Sequence, residues 1–186
     1  RLSLVGSEMC IRDRDKTIKC LRNITAQSLP ADTKFDIYIV DGGSTDGTVE
    51  SVKTQFPHVN IKTVDGVFWN RGMIEAWKMA EEKKRNGCNY DYYLWLNDDT
   101  FIYKDCIASL LRVSLLKKNR TIVLGSTVDT QTRSKLTYGG RDKTGKVARP
   151  SSDDSPVPVI MMNGNIVLVP HSVYKKLGTL DPYYTH

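Results

Sequence analysis

Two adjacent carboxylates, Asp98 and Asp99, follow Asn97 directly after the apolar run Tyr92-Tyr-Leu-Trp-Leu96. Paired carboxylates at the end of a buried strand repel each other unless solvent or a cation offsets the charge. A divalent ion such as Mg2+ or Mn2+, which takes oxygen ligands from one or two carboxylates and a ligand's phosphates, would do so. The simpler alternative is that one of the two carboxylates caps the following turn. These residues alone leave both readings open.

A second cluster, Asp41-Gly-Gly-Ser-Thr-Asp-Gly-Thr48, has three glycines that permit positive φ and close approach of a ligand. Asp46 stands where the next helix needs an N-cap, and that role outweighs a catalytic one. Asp41, at the strand end itself, is less easily explained as a cap. An EF-hand is excluded because Val52 occupies the twelfth position, and no GxxxxGK[ST] phosphate loop is present. In the third cluster, Trp69-Asn70-Arg71-Gly72, Asn70 could cap a helix and Arg71 could meet a phosphate there. Trp69 reads equally as core or as a stacking surface. Asn163-Gly164-Asn165 is read as a hairpin turn. No His, Ser or Cys spacing supports a nucleophilic triad.

The elements that position these clusters alternate. We expect helices over 15–28, 48–56, 71–85, 104–117 and 171–177. Asp15 is the expected N-cap of the first. Strands are expected over 35–40, 59–64, 92–96, 121–125, 157–161 and 166–169. Strand and helix alternating through residue 125 imply an α/β fold with a mostly parallel central sheet flanked by helices. In such a sheet ligands bind outside the carboxyl ends of the strands, where all three polar loops are expected to converge. Arg1–Arg14 shows no periodicity of either kind. It is read as a non-native segment outside the fold, leaving 15–186 as an internal fragment.

Composition bounds the rest. The 186 residues are 40% hydrophobic and 26% charged, which excludes a disordered tail and a disulfide-stapled miniprotein. No apolar stretch approaches the roughly 18 residues of a membrane-spanning helix. The net charge of +6 favours polyanionic small molecules or an anionic membrane surface over nucleic acid, and no nucleic-acid partner is expected. Four cysteines, Cys10, Cys20, Cys88 and Cys106, have no metal-ligand spacing and read as reduced, mostly buried thiols of a cytoplasmic protein.

Taken together, Val40-Asp41-Gly-Gly-Ser44-Thr-Asp46-Gly-Thr48, Asn70-Arg71-Gly72, Leu94-Trp-Leu-Asn97-Asp98-Asp99-Thr100 and Met162-Asn-Gly-Asn-Ile-Val-Leu-Val169 resemble, in that order, a family 2 glycosyltransferase of the GT-A fold, rhamnosyltransferase-like. The resemblance implies a Rossmann-like nucleotide-diphospho-sugar transferase fold, with residues 15–128 as donor half and 129–186 as an incomplete acceptor half. It implies donor contacts from Asp41, Gly43, Ser44, Asn70 and Asp98. Asp99 would be the direct ligand of Mn2+ or Mg2+, with Asn97 a further candidate, and Asn163 and Gly164 would lie on the acceptor side.

The implied reaction is metal-assisted, inverting transfer of a sugar from a nucleotide-diphosphate sugar to an acceptor hydroxyl on a glycan or lipid-linked molecule. A bacterial surface-glycan role, in the cytoplasm or at the inner membrane face, goes with it. The family's first strand is expected to be missing and its catalytic base to lie after His186, so no catalytic residue is assigned within the chain. Two departures stand out, Asn97 at the first position of the DxD motif and Trp69 where an Arg is common. The alternatives are a non-catalytic nucleotide- or glycan-binding remnant and a basic surface module built on Arg133–Arg149. A nucleotidyltransferase would need an N-terminal Gly-rich basic loop, which is not visible.

Overall fold

Residues 35–41 alternate in the direction of their side chains, and both sides are apolar. Ile37 and Ile39 enter one core cluster, while Tyr38 and Val40 enter another. The same division separates Leu94 and Leu96 from Tyr93 and Trp95, and Ile166 and Leu168 from Val167 and Val169. These are strands buried on both faces, the pattern of a sheet covered by helices on each side. The computed structural model describes residues 1–8, 14–87, 89–151 and 155–184.

The chain runs β1 (Leu2–Glu8), α1 (Arg14–Thr25), β2 (Phe35–Asp41), α2 (Thr48–Gln55), β3 (Asn60–Thr63), α3 (Trp69–Arg85), β4 (Tyr92–Leu96) and α4 (Cys106–Leu116). Short strands follow: β5 (Val123–Leu124), β6 (Thr127–Val128), β7 (Leu136–Tyr138), β8 (Gly140–Arg141) and β9 (Met161–Met162). The last elements are β10 (Ile166–Pro170) and α5 (His171–Leu177). The main sheet has the order β3-β2-β1-β4-β10-β5. Strands β1 to β4 are parallel, and β10 runs antiparallel between β4 and β5. The expected mostly parallel, helix-flanked sheet is what forms.

Chain direction across the sheet explains which helix covers which face. From β1 the chain steps outward through β2 to β3, with α1 and α2 packed on one face. It then reverses past β1 to β4, and α3 covers the other face through Met73, Ala76, Trp77 and Ala80. Right-handed crossovers stepping in opposite directions require this alternation of faces.

Three expectations are corrected. The place of the first strand is filled: Leu2–Glu8 sits at the centre of the sheet, in register with β2 from Leu2↔Phe35 to Glu8↔Asp41 and with β4 from Leu2↔Tyr92 to Val5↔Trp95. A central strand is fixed by ladders on both sides, so it needs no alternation of its own. Asp15 is not the N-cap of α1, which begins at Arg14. Instead Asp46, from the loop before α2, accepts the Arg14 backbone N–H at 3.1 Å. Nor does Asn163-Gly164-Asn165 close a hairpin. Met161–Met162 pairs with Gly140–Arg141 in a separate small sheet, while Ile166–Pro170 joins the main one. Met161 and Met162 are both exposed, so no buried face draws them into the main sheet.

Candidate active site

The strand order reverses between β1 and β4, which makes their carboxyl ends a topological switch point. Asn97-Asp98-Asp99 leaves β4 there, and the β2 loop leaves the neighbouring strand end. Cys10 and Cys88 lie outside the described residues.

The β2 loop is folded by its own first residue. Asp41 is fully buried, and its carboxylate accepts the backbone N–H groups of Gly43 at 3.1 Å and Ser44 at 3.2 Å. This is the side-chain turn that Asp makes with amides two and three residues on. Gly43 lies at φ 103°, and a β-carbon there would stand 2.9 Å from Asp65 Oδ1. Only glycine lets the β2 and β3 loops approach this closely. Farther along, Asp46 accepts the Thr48 N–H at 3.1 Å and its hydroxyl at 2.5 Å, opening α2. The expected N-cap of α2 is corrected: Gly47, at φ 82°, takes that position. Asp46 stands one residue before it, from where its carboxylate, with Arg14 included, still meets the first turns of two helices.

On β4, Asp98 accepts the Thr17 hydroxyl from α1 at 3.2 Å, while Asp99 is exposed. The Asn97 backbone is held on both sides: its N–H donates to Asn165 at 3.1 Å, and its carbonyl accepts the Thr100 N–H at 3.0 Å. Beneath it the Cys20 thiol donates to the carbonyls of Thr100 at 3.5 Å and Asn97 at 3.7 Å. Burial, and then the negative charges of Asp98 and Asp99, push that thiol up to about 12. The two carboxylates thus set a negative field at the end of β4. Among the described residues no group of three or more His, Cys, Asp or Glu could hold a metal by itself. Two carboxylates do suit a hard divalent ion whose other ligands come from phosphate and water.

Trp69 connects the loops. Its indole N–H donates to Asn97 Oδ1 at 2.8 Å, its ring meets Trp95 edge-on at 6.5 Å, and it lies against Gly164. The ring is half-buried, so it serves as packing and as a hydrogen-bond donor together. Asn70 is not the cap of α3, which already begins at Trp69. It is buried, and its amide donates to the carbonyls of Asp181, at 2.9 Å, and Tyr184. Arg71 is exposed on the first turn. Asn163 is half-buried, with its Oδ1 atom buried and unpaired. Sequence reasoning placed Asp41, Gly43, Ser44, Asn97, Asp98 and Asp99 at one edge. It missed Thr17, whose only signal is a small polar residue on the apolar face of α1.

The Glycosyl transferase family 2 profile matches residues 10–164. The solved structure of Staphylococcus aureus TarS residues 1–349, in complex with UDP-GlcNAc, is similar at a TM-score of 0.63 and 14% identity, over 95% of this chain and 47% of that one. The mannosyltransferase PcManGT from Pyrobaculum calidifontis, in complex with GDP-Man and Mn2+, is similar at a TM-score of 0.55 and 17% identity, over 97% and 47%. The chain spans about half the length of these structures. No curated protein matches the sequence. No helix among the described residues is long and apolar enough to cross a membrane. The profile match over most of the chain, on a sheet with the architecture of solved GT-A enzymes, shows that this chain belongs to glycosyl transferase family 2.

Proposed function

We propose that the chain carries the donor-binding part of a glycosyltransferase that moves a sugar from a nucleotide-diphosphate sugar to an acceptor hydroxyl, with inversion. The observation that carries this reading is that the Asp41 loop and Asn97-Asp98-Asp99 leave the carboxyl ends of β2 and β4, the two parallel strands that flank β1, on one edge of the sheet in a family 2 chain. Asp41 holds the β2 loop in shape, so that Gly43 and Ser44 line the nucleoside end. Asp98, steadied by Thr17, faces the ribose, and Asn70 anchors the start of α3 beside the donor. Asp99 would hold Mn2+ or Mg2+, the exposed carboxylate of a pair whose mutual repulsion a cation relieves. When bound, the ion supplies Lewis-acid stabilisation of the diphosphate leaving group. Asn163 and Gly164, on the far side of Trp69, border the acceptor.

Residues 15–128, with β1, form the donor half in this reading, and 129–186 the acceptor half. The acceptor is a glycan or lipid-linked hydroxyl in bacterial surface-glycan synthesis at the cytoplasmic face of the membrane. Bilayer contact is supported by exposed Val157, Ile160, Met161 and Met162 and by six basic residues between Arg133 and Arg149. Titrating UDP, GDP and dTDP with and without Mn2+ tests the reading. Metal-dependent diphosphate binding that falls about tenfold or more in Asp99→Ala is expected. Binding that ignores both metal and Asp99 would overturn it in favour of a generic polyanion surface.

A further inference from the structure

Trp69 decides which way Asn97 faces. An indole N–H can only donate, so the amide opposite it must present its oxygen. With Oδ1 given to Trp69 at 2.8 Å, the Nδ2 group of Asn97 is the end left over. That group is not among the buried unpaired atoms and has no partner among the described residues. The backbone on either side is pinned to Asn165, Thr100 and Cys20, so the amide is held as well as oriented. Beside it stand two carboxylates, which can only accept hydrogen bonds.

We infer that Asn97 is a hydrogen-bond donor to an oxygen of the nucleoside diphosphate, a phosphate oxygen or a ribose hydroxyl, and that Trp69 is its positioning residue. The inference rests on the glycosyl-transfer reading above and assigns Asn97 a part in it different from metal ligation. An aspartate at 97 would still accept the Trp69 N–H. It would lose the donor and add a third negative charge facing the diphosphate.

The two roles give opposite signs in one experiment. Calorimetric titration of the full chain with UDP, GDP and dTDP in the presence of Mn2+ first selects the diphosphate that binds. Asn97→Asp should then weaken that diphosphate by about ten- to a hundredfold, with the thermal midpoint and the binding of Mn2+ alone held or raised. If Asn97 is instead a metal ligand, restoring a carboxylate tightens metal-dependent diphosphate binding, and the inference is overturned.

Trp69→Phe should weaken binding several-fold, and Asn97→Ala should cost less in that background than in the native one. Equal costs in the two backgrounds would remove Trp69 from its positioning role. A loss seen with the diphosphate but not the monophosphate puts the acceptor oxygen on the terminal phosphate, whereas a loss shared by the nucleoside puts it on ribose. If the native chain binds none of the three diphosphates, the glycosyl-transfer reading itself fails and this inference falls with it.

Discussion

The indole of Trp69 lies so close over Gly164 that a β-carbon at 164 would stand 2.6 Å from its Cζ2 and 2.7 Å from its Cη2. The same ring holds Asn97. One side chain at the start of α3 therefore joins the β4 carboxylate loop to the segment entering β10.

Gly164→Ala should cost about 1–3 kcal/mol, the usual price of forcing a methyl into a packed contact. Gly164 has no positive φ, so the cost comes from the clash alone. Urea denaturation of Gly164→Ala in native and Trp69→Leu backgrounds checks this. The penalty should shrink when the ring is gone.

Asp46→Ala should destabilise the fold by about 1–2 kcal/mol, because one carboxylate meets the first turns of both α1 and α2. Asp46→Asn, which keeps an oxygen acceptor, should recover part of the loss. Equal losses in the two variants would show that charge, rather than capping geometry, is what matters.

Burial alone would raise the Asp36 carboxyl, but hydrogen bonds from Arg1, Lys83 and Tyr90 prevail and hold it at about 2. A folded-state value below the unfolded value of 3.8 stabilises the fold at any pH above the latter. This stabilisation, about 2 kcal/mol, should be lost as pH falls from about 4 towards 2. Asp36→Asn should show it as a lower stability at pH 7 and a flatter acid limb in pH-dependent denaturation.

Cys20 should resist thiol reagents until the chain unfolds. With the thiol pushed up to about 12 and buried, only about 10⁻⁴ of it is ionised at pH 8. Mass-spectrometric mapping of alkylation, folded against denatured, reads this directly. The unfolded thiol ionises near 9, so the native state should lose stability as pH rises above that value.

Much of this was legible residue by residue. Two-sided apolar alternation in 35–40 and 92–96 marks buried strands, glycines and Asp41 mark the β2 loop, and Asn97-Asp98-Asp99 marks a charged strand end. Each signal is local, because side-chain period and turn chemistry depend on near neighbours in the chain. Local signals misjudged Leu2–Glu8, whose strand character comes from the ladders of β2 and β4 on either side. They also made a hairpin of 163–165, whose flanking strands find partners in different sheets.

The sequence by itself determined the α/β class, the element types around the site and the chemistry the loops could offer. Only the tertiary structure decided that β1 lies between β2 and β4, so that the carboxylate pair emerges at a switch point. It alone turned Asp41 onto its own loop, Asn70 onto the segment at Asp181 and Trp69 onto Asn97 and Gly164. The physical reason is that strand order and side-chain contacts between distant segments follow from how the faces pack together. No short window of sequence carries that information.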